Sequence, residues 1–297
     1  MRTIESLHTD KKICASQKLF KNLVNSIIEH EEAIKPYFAS DNTVIFNQDC
    51  LDVLSRIPEN SIDMIFADPP YMLSNNGFTC LNGRMVNVNK GAWDKSKGFE
   101  EDSQFHHTWI AACRRVLKPE GAIWISGTYH SIYQCGYMLQ KNGFHILNDI
   151  AWFKPNAAPN LSCRFFTASH ETVIWARKDK KAKHTFNYEA MKNGNFPEDR
   201  MKKENTQMRS VWSIPAPKNG EKTFGKHPAQ KPLDLLLRII KASTNDGGII
   251  LDPFNGGGTT GAAAALLGSR YYIGSEIDES YCELTVKRLN RINERTI

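Results

Sequence analysis

Apolar residues along this chain fall into two alternating textures, short solid runs and helical stripes. The runs Thr43–Asn47, Ile62–Ala67, Ala122–Ser126, His145–Phe153, Glu171–Ala176, Gly248–Leu251 and Tyr271–Glu276 have strand length, and Gly248–Leu251 is apolar almost throughout. A strand with no polar alternation belongs in the middle of a parallel sheet, covered on both faces. Between the runs the spacing predicts helices at Cys50–Arg56, Phe105–Leu117, Ser131–Lys141, Pro232–Ala242, Thr260–Leu267 and Glu279–Arg291. Strand and helix alternating in this way predict an α/β fold, a doubly wound and mostly parallel sheet.

Two stretches stand outside that alternation. Residues 1–42 read as an N-terminal helical extension to a domain spanning 43–297. Their stripe of Phe20, Leu23, Val24, Ile27 and Ile28 is more simply packed on its own domain than on a partner helix. Met72 to about Gly98 is rich in Asn, Gly and Ser and reads as a long loop, a length that suggests closure over a ligand.

Charge changes the picture once it is located. The chain carries a formal +6, yet Arg177–Lys226 alone holds 13 Lys and Arg against 6 Asp and Glu. The whole surplus lies in that one segment, interleaved with Asn, Gln and aromatic residues, and long-range attraction to a polyanion is its functional reading. A solvated, solubilising loop is the plain alternative. No stretch is long and apolar enough to cross a membrane, and the N-terminus is too polar for a secretory signal. Seven cysteines placed singly suit neither a disulfide framework nor a zinc site, so reduced thiols, no metal and a cytoplasmic location are expected.

Two motifs carry chemistry. The strand ending at Leu251-Asp252 runs into Pro253-Phe254-Asn255-Gly256-Gly257-Gly258-Thr259-Thr260-Gly261. Glycines permit a tight turn and close approach of a ligand, and the next helix offers unpaired N–H groups. Glu276 ends the following strand, placed to accept hydrogen bonds from ribose hydroxyls. This turn alone fits a nicotinamide enzyme as well as a methyltransferase. The second motif is Asp68-Pro69-Pro70-Tyr71, where a strand must stop because proline cannot continue a sheet interior. Methylating an exocyclic amino group requires acceptors for its two N–H bonds, which restore the nitrogen lone pair. The Asp68 carboxylate supplies one, the Pro69 carbonyl the other, Pro70 fixes that carbonyl's direction, and Tyr71 offers a face to a base extruded from the duplex.

Together these residues resemble the amino-group DNA methyltransferases of restriction–modification systems. There Asp-Pro-Pro-Tyr is catalytic and Phe-x-Gly-x-Gly, here Phe254 to Gly258, binds S-adenosylmethionine. The order of the motifs, with the basic segment between them, is similar to the β class. It implies a class I S-adenosylmethionine-dependent, Rossmann-like methyltransferase fold, a circularly permuted seven-stranded sheet with an antiparallel edge strand, and a target-recognition insertion at about 177–226. Gly257 departs from the family, standing where serine is common. The resemblance places Asp49 and Cys50 near the cofactor adenine, His227 and Lys231 in the segment flanking its methionine end, and Asp252 by its ammonium. Asp68, Phe254, Gly256, Gly258, Thr259, Thr260 and Glu276 complete the expected cofactor site.

Asp68–Gly77, Lys90–Lys95 and Ala158–Thr167 further resemble DpnA-type adenine-N6 methylases, which implies GATC as target in duplex and single-stranded DNA. It also implies a homodimer and a separately acting cognate restriction endonuclease. Arg164, Lys180, Lys181, Lys183, Lys202, Lys203 and Arg209 are the candidate DNA contacts. Cytosine-N4 methylation stays open as an alternative, because those enzymes more often carry serine in the first motif position. A nicotinamide oxidoreductase and a silent DNA-binding relative also stay open; the first leaves Asp-Pro-Pro-Tyr unexplained, and intact Asp68 and Tyr71 speak against the second.

Overall fold

In the computed structural model, residues 4–30, 32–72, 78–81, 84–87, 94–194, 196 and 206–296 are described. The strands are β1 (Phe38–Ala39), β2 (Thr43–Asn47), β3 (Ile62–Ala67), β4 (Phe78–Leu81), β5 (Arg84–Asn87), β6 (Leu117–Gly127), β7 (His145–Phe153), β8 (His170–Arg177), β9 (Val211–Ser213), β10 (Ile249–Asp252) and β11 (Tyr271–Glu276). The helices are α1 (Ile4–Ile28), α2 (Cys50–Arg56), α3 (Phe99–Val116), α4 (Ile132–Lys141), α5 (Tyr188–Lys192), α6 (Leu233–Ser243), α7 (Thr259–Leu267) and α8 (Glu279–Thr296). Among the described residues no helix is long and apolar enough to cross a membrane.

Seven strands of four residues or more form a sheet in the order β2-β11-β10-β3-β6-β8-β7, and the short β1 and β9 extend its two margins. From β2 to β6 all pairings are parallel. The antiparallel member is not the margin of the seven: β8 runs antiparallel to both β6 and β7 and so sits one place in. This is the Rossmann-like, mostly parallel arrangement expected of a class I methyltransferase, entered at a permuted point in the chain.

Alternation along the strands sorts the core into two layers. Val44, Phe46, Ile65, Ala67, Ile123, Ile125, Ile249 and Leu251 face one side, where residues of α1 to α4 cover them. Ile45, Met64, Phe66, Trp124, Ile250 and Tyr272 face the other, against α5, α6 and α7. The two-residue period of a strand does this automatically, and helices on both faces explain why the runs read as solidly apolar. Trp124 and Trp175 oppose each other across β6 and β8 and stack at 4.8 Å.

Two segments depart from the sequence pattern. The stretch read as a continuous loop from Met72 to Gly98 contains the antiparallel pair β4–β5. In the sequence Asn82-Gly83, a pair that hairpins favour, separates them, a signal hidden by the Gly- and Asn-rich composition around it. Residues 73–77, 82–83 and 88–93 of that stretch lie outside the described residues. Helix α3 begins six residues earlier than its apolar stripe, because Glu100, Glu101 and Asp102 suit the positive end of a helix without adding to its periodicity.

α1 packs its stripe on the sheet. Phe20, Leu23 and Ile27 are buried in the same core as Val44 and Ile273, and the Phe20 ring stacks on Tyr271 at 4.8 Å. Truncating Phe20 to Ala is expected to cost about 3–5 kcal/mol of stability, the range for emptying a buried aromatic site. Denaturant unfolding would measure it, and a loss under about 1 kcal/mol would mean α1 is not an integral part of the core.

Candidate active site

The site follows from where the parallel strands stop. β2, β11, β10 and β3 are consecutive neighbours, and at or just past their carboxyl ends stand Asp49, Glu276, Asp252 and Asp68. Strands lie about 4.8 Å apart, so four carboxylates are ranged along one rim of the sheet. From β10 the chain proceeds toward β11 and from β3 toward β6, so the rim includes the switch point where open α/β sheets bind ligands. A cavity of about 540 Å³ opens there, lined by all four acidic residues. That is the size of a small-molecule site.

Each carboxylate is held differently. Asp49 caps α2, its Oδ1 accepting the Leu51 N–H at 2.8 Å. Glu276 accepts the Gly256 N–H at 2.7 Å through Oε2 and the Asp278 N–H at 3.0 Å through Oε1. Burial raises its carboxyl above the ordinary range. Asp252 accepts the Phe254 N–H at 3.0 Å and the Thr260 hydroxyl at 2.5 Å. Burial nevertheless pushes Asp252 up to about 7, so it wants a cation.

The glycine turn is built for a close ligand. Gly256 and Gly258 have φ of +50° and +71°, which other residues adopt at a cost. His227 lies over Gly256, where an added Cβ would come within 3.2 Å of the ring, and packs edge-on to Tyr281 at 4.4 Å. A Cβ at Gly257 would meet the His227 Cβ at 3.1 Å, so glycine in the family's serine position makes room for this ring. Gly256, Gly257, Thr259, Thr260, Phe254 and Cys50 border the cavity. Gly258 does not; it starts α7, its Cα packed on Thr285, and its role is the turn.

The Asp-Pro-Pro-Tyr end differs from the sequence expectation in two respects. Lys231, placed by resemblance toward the methionine end, directs its ammonium to Asp68 Oδ2. Burial disfavours that ammonium, but Asp68 and then Glu171 hold its pKa above the ordinary value. Burial likewise raises the Asp68 carboxyl, with Lys231 pulling the other way. Tyr71 does not present an open face: it is buried, Lys231 Nζ lies 5.1 Å over its ring, and its hydroxyl reaches Asp68 Oδ1 at 2.6 Å. The backbone of Tyr71 is pinned by Asp94, whose Oδ1 accepts its N–H at 2.8 Å. Pro69 and Pro70 line the cavity beside them.

Sequence reasoning missed Glu171 and Lys154. Glu171 is the second residue of β8 and its Oε2 lies 3.1 Å from the Tyr71 hydroxyl; Lys154, just past β7, donates to Glu171 Oε1 at 2.8 Å. Only their position next to strand ends at this rim could have signalled them.

The candidate DNA contacts do not converge. Arg164 is exposed in the loop from β7 to β8, at the rim of Asp68. Lys180, Lys181 and Lys183 are exposed but leave the sheet at the opposite rim, because β8 is antiparallel and pairs Arg177 with Ala122 at the start of the buried part of β6. They therefore do not border the cavity. Arg209 is exposed just before β9 on the sheet margin, and Lys202 and Lys203 lie outside the described residues.

Both the sequence and the fold are similar to those of known proteins. The family model described as DNA methylase, which groups N6 and N4 enzymes, matches residues 62–287. The chain is 51% identical over 261 residues to the Type II methyltransferase M2.MboI of Moraxella bovis, covering 87% of this chain and 92% of that protein. It is 49% identical to M2.DpnII of Streptococcus pneumoniae, covering 88% and 94%. Among solved structures it is similar to the M1.HpyAVI–SAM complex, with TM-score 0.59, 28% identity and 84% and 99% of the two chains covered. The PvuII cytosine-N4 DNA methyltransferase shares the fold, with TM-score 0.65 at 19% identity and coverage of 88% and 93%.

Gly258→Ala is expected to lower stability by about 2 kcal/mol or more, from a strained φ and a Cβ driven against Thr285. Thermal melting would register it as a fall of at least several degrees, whereas an unchanged melt would mean the turn relaxes freely.

Proposed function

The chain belongs to the DNA methylase family, and from that premise we propose that it methylates N6 of an adenine in GATC, with Asp68 as acceptor of the amino group. It is a DNA methyltransferase that uses S-adenosylmethionine. The observation that carries the residue assignment is the rim of four carboxylates inside one cavity, ordered Asp49, Glu276, Asp252, Asp68.

The residues fit the cofactor by their chemistry. Asp49 accepts from the adenine amino group, Glu276 from the ribose hydroxyls, and Asp252 pairs with the methionine ammonium. Gly256 gives the room, and the first turn of α7 adds its positive end. Phe254 forms an apolar wall, backed edge-on by Trp109 at 5.3 Å. When bound, S-adenosylmethionine supplies a methyl group already activated by a sulfonium. Asp68 and the Pro69 carbonyl then draw the amino N–H bonds toward themselves, which returns electron density to N6. Once N6 carries the methyl group, Asp68 and solvent would take up the proton that the nitrogen sheds. Little acid–base strength is required, since positioning does most of the work.

Aspartate in the first motif position supports adenine over cytosine. GATC is supported by the DpnA-type segments, and the Type II designation of the relatives supports a separately acting restriction endonuclease. The segment 177–226 serves in this reading as the target-recognition insertion, and Arg164 is the candidate contact in the loop from β7 to β8 at the rim of Asp68. Tyr129, Tyr133 and Tyr137, exposed at one-turn spacing on and before α4, support a homodimer.

Mass spectrometry of nucleosides from DNA treated with the protein is expected to show N6-methyladenine, and Asp68→Asn to remove it by roughly a thousandfold or more while sparing cofactor binding. N4-methylcytosine in its place would overturn the adenine assignment, and a surviving Asp68→Asn activity the mechanism.

Asp252 gives a second test. Its carboxyl sits at about 7, so below that pH it is neutral and the cofactor ammonium loses its partner. S-adenosylmethionine affinity should therefore weaken as pH falls, approaching roughly tenfold per unit below about pH 6.5. Calorimetric titration would show the slope, which Asp252→Asn should flatten.

A further inference from the structure

Asp68 as an acceptor faces a conflict. Both its oxygens are already taken, Oδ1 by the Tyr71 hydroxyl and Oδ2 by the Lys231 ammonium. Each oxygen keeps a second lone pair, but a base amino group must compete with these two donors for it in a crowded, buried pocket, and its approach is eased when one of them moves away. A donor displaced inside a closed pocket needs another acceptor, since an unpaired polar group there is costly.

Glu171 stands where that acceptor is needed. Its Oε2 lies 3.1 Å from the Tyr71 hydroxyl and 3.8 Å from Lys231 Nζ. The hydroxyl has one proton and so serves Asp68 or Glu171, not both. Lys154 grips the other oxygen of Glu171 at 2.8 Å and keeps the carboxylate from turning away. Although burial alone would raise the Glu171 carboxyl, Lys231 and Lys154 hold it below the ordinary range and ionised. The side chain is almost enclosed, and it belongs to β8, outside both sequence motifs.

We propose that Glu171 is a positioning residue that receives the Tyr71 hydroxyl and the Lys231 ammonium when the target amino group takes Asp68. The step is an exchange of hydrogen-bond donors between two carboxylates; no covalent bond changes and no proton is lost. It frees Asp68 without stranding a charge. The inference rests on Asp68 being the amino-group acceptor.

The test is a cycle of Glu171→Gln, Lys231→Met and the double variant. Single-turnover methylation is measured at saturating DNA and S-adenosylmethionine, and cofactor binding by calorimetry. Glu171→Gln is expected to slow methylation by about tenfold or more with cofactor affinity within about threefold, because Asp68 is then the one carboxylate left to the ammonium, beside the Ala229 carbonyl at 3.2 Å. Adding Lys231→Met should make the double variant faster than Glu171→Gln, since the competitor for Asp68 is gone. A purely structural Glu171 predicts the reverse, a double variant as slow or slower. That result, or a Glu171→Gln enzyme less than about tenfold impaired, overturns the proposal. Should Glu171→Gln not bind cofactor, Glu171→Asp carries the same comparison. An active Asp68→Asn would instead sink the acceptor reading itself, so the two failures are separable.

Discussion

Parallel strands end together, and here that geometry forces four carboxylates onto one rim at roughly strand spacing. Like charges so close in a half-closed cavity repel, and burial adds to the cost. Much of the local structure can be understood as an answer to this. Asp49, Glu276 and Asp252 each take backbone N–H groups, from Leu51, from Gly256 and Asp278, and from Phe254. Asp68 takes a lysine. What is left over, an Asp252 carboxyl pushed to about 7, is a demand for positive charge that a sulfonium bearing an ammonium is well made to meet. Cofactor preference is thus partly electrostatic and built in before any shape is matched.

The glycine turn and the carboxylate row depend on one another. Gly256 donates its N–H to Glu276, so the turn is tied to the neighbouring strand end rather than hanging free. Asn47 does the same one strand further on, its amide donating to the Glu276 carbonyl at 2.9 Å. Rim, turn and helix α7 therefore act as one rigid seat, the condition under which positioning can dominate catalysis.

Most of this architecture was legible in the chain. Solid apolar runs betrayed β3 and β10, and the acidic residues and glycines that follow them are contiguous with those runs. The parts that stayed hidden share a cause. The Lys231–Asp68 pair and the Glu171–Tyr71 contact join residues 163 and 100 positions apart, and no local periodicity encodes which polar side chains meet across a rim. Asp94, which pins Tyr71, sits in a Gly- and Asn-rich stretch where polarity read simply as loop. The β4–β5 hairpin was masked by the same composition. For the basic segment, charge could be counted but not placed: β8 pointing the other way carries Lys180, Lys181 and Lys183 to the far rim.

That reversal of β8 has an evolutionary reading. Its first residues, with Glu171, sit at the chemistry, and its last deliver the chain to the opposite side of the sheet. Length added or removed in the exposed stretch just after Arg177 therefore falls on the rim away from the four carboxylates and leaves their spacing along the sheet untouched. A lineage can thus vary the chain at that far rim while inheriting the carboxylate row unchanged.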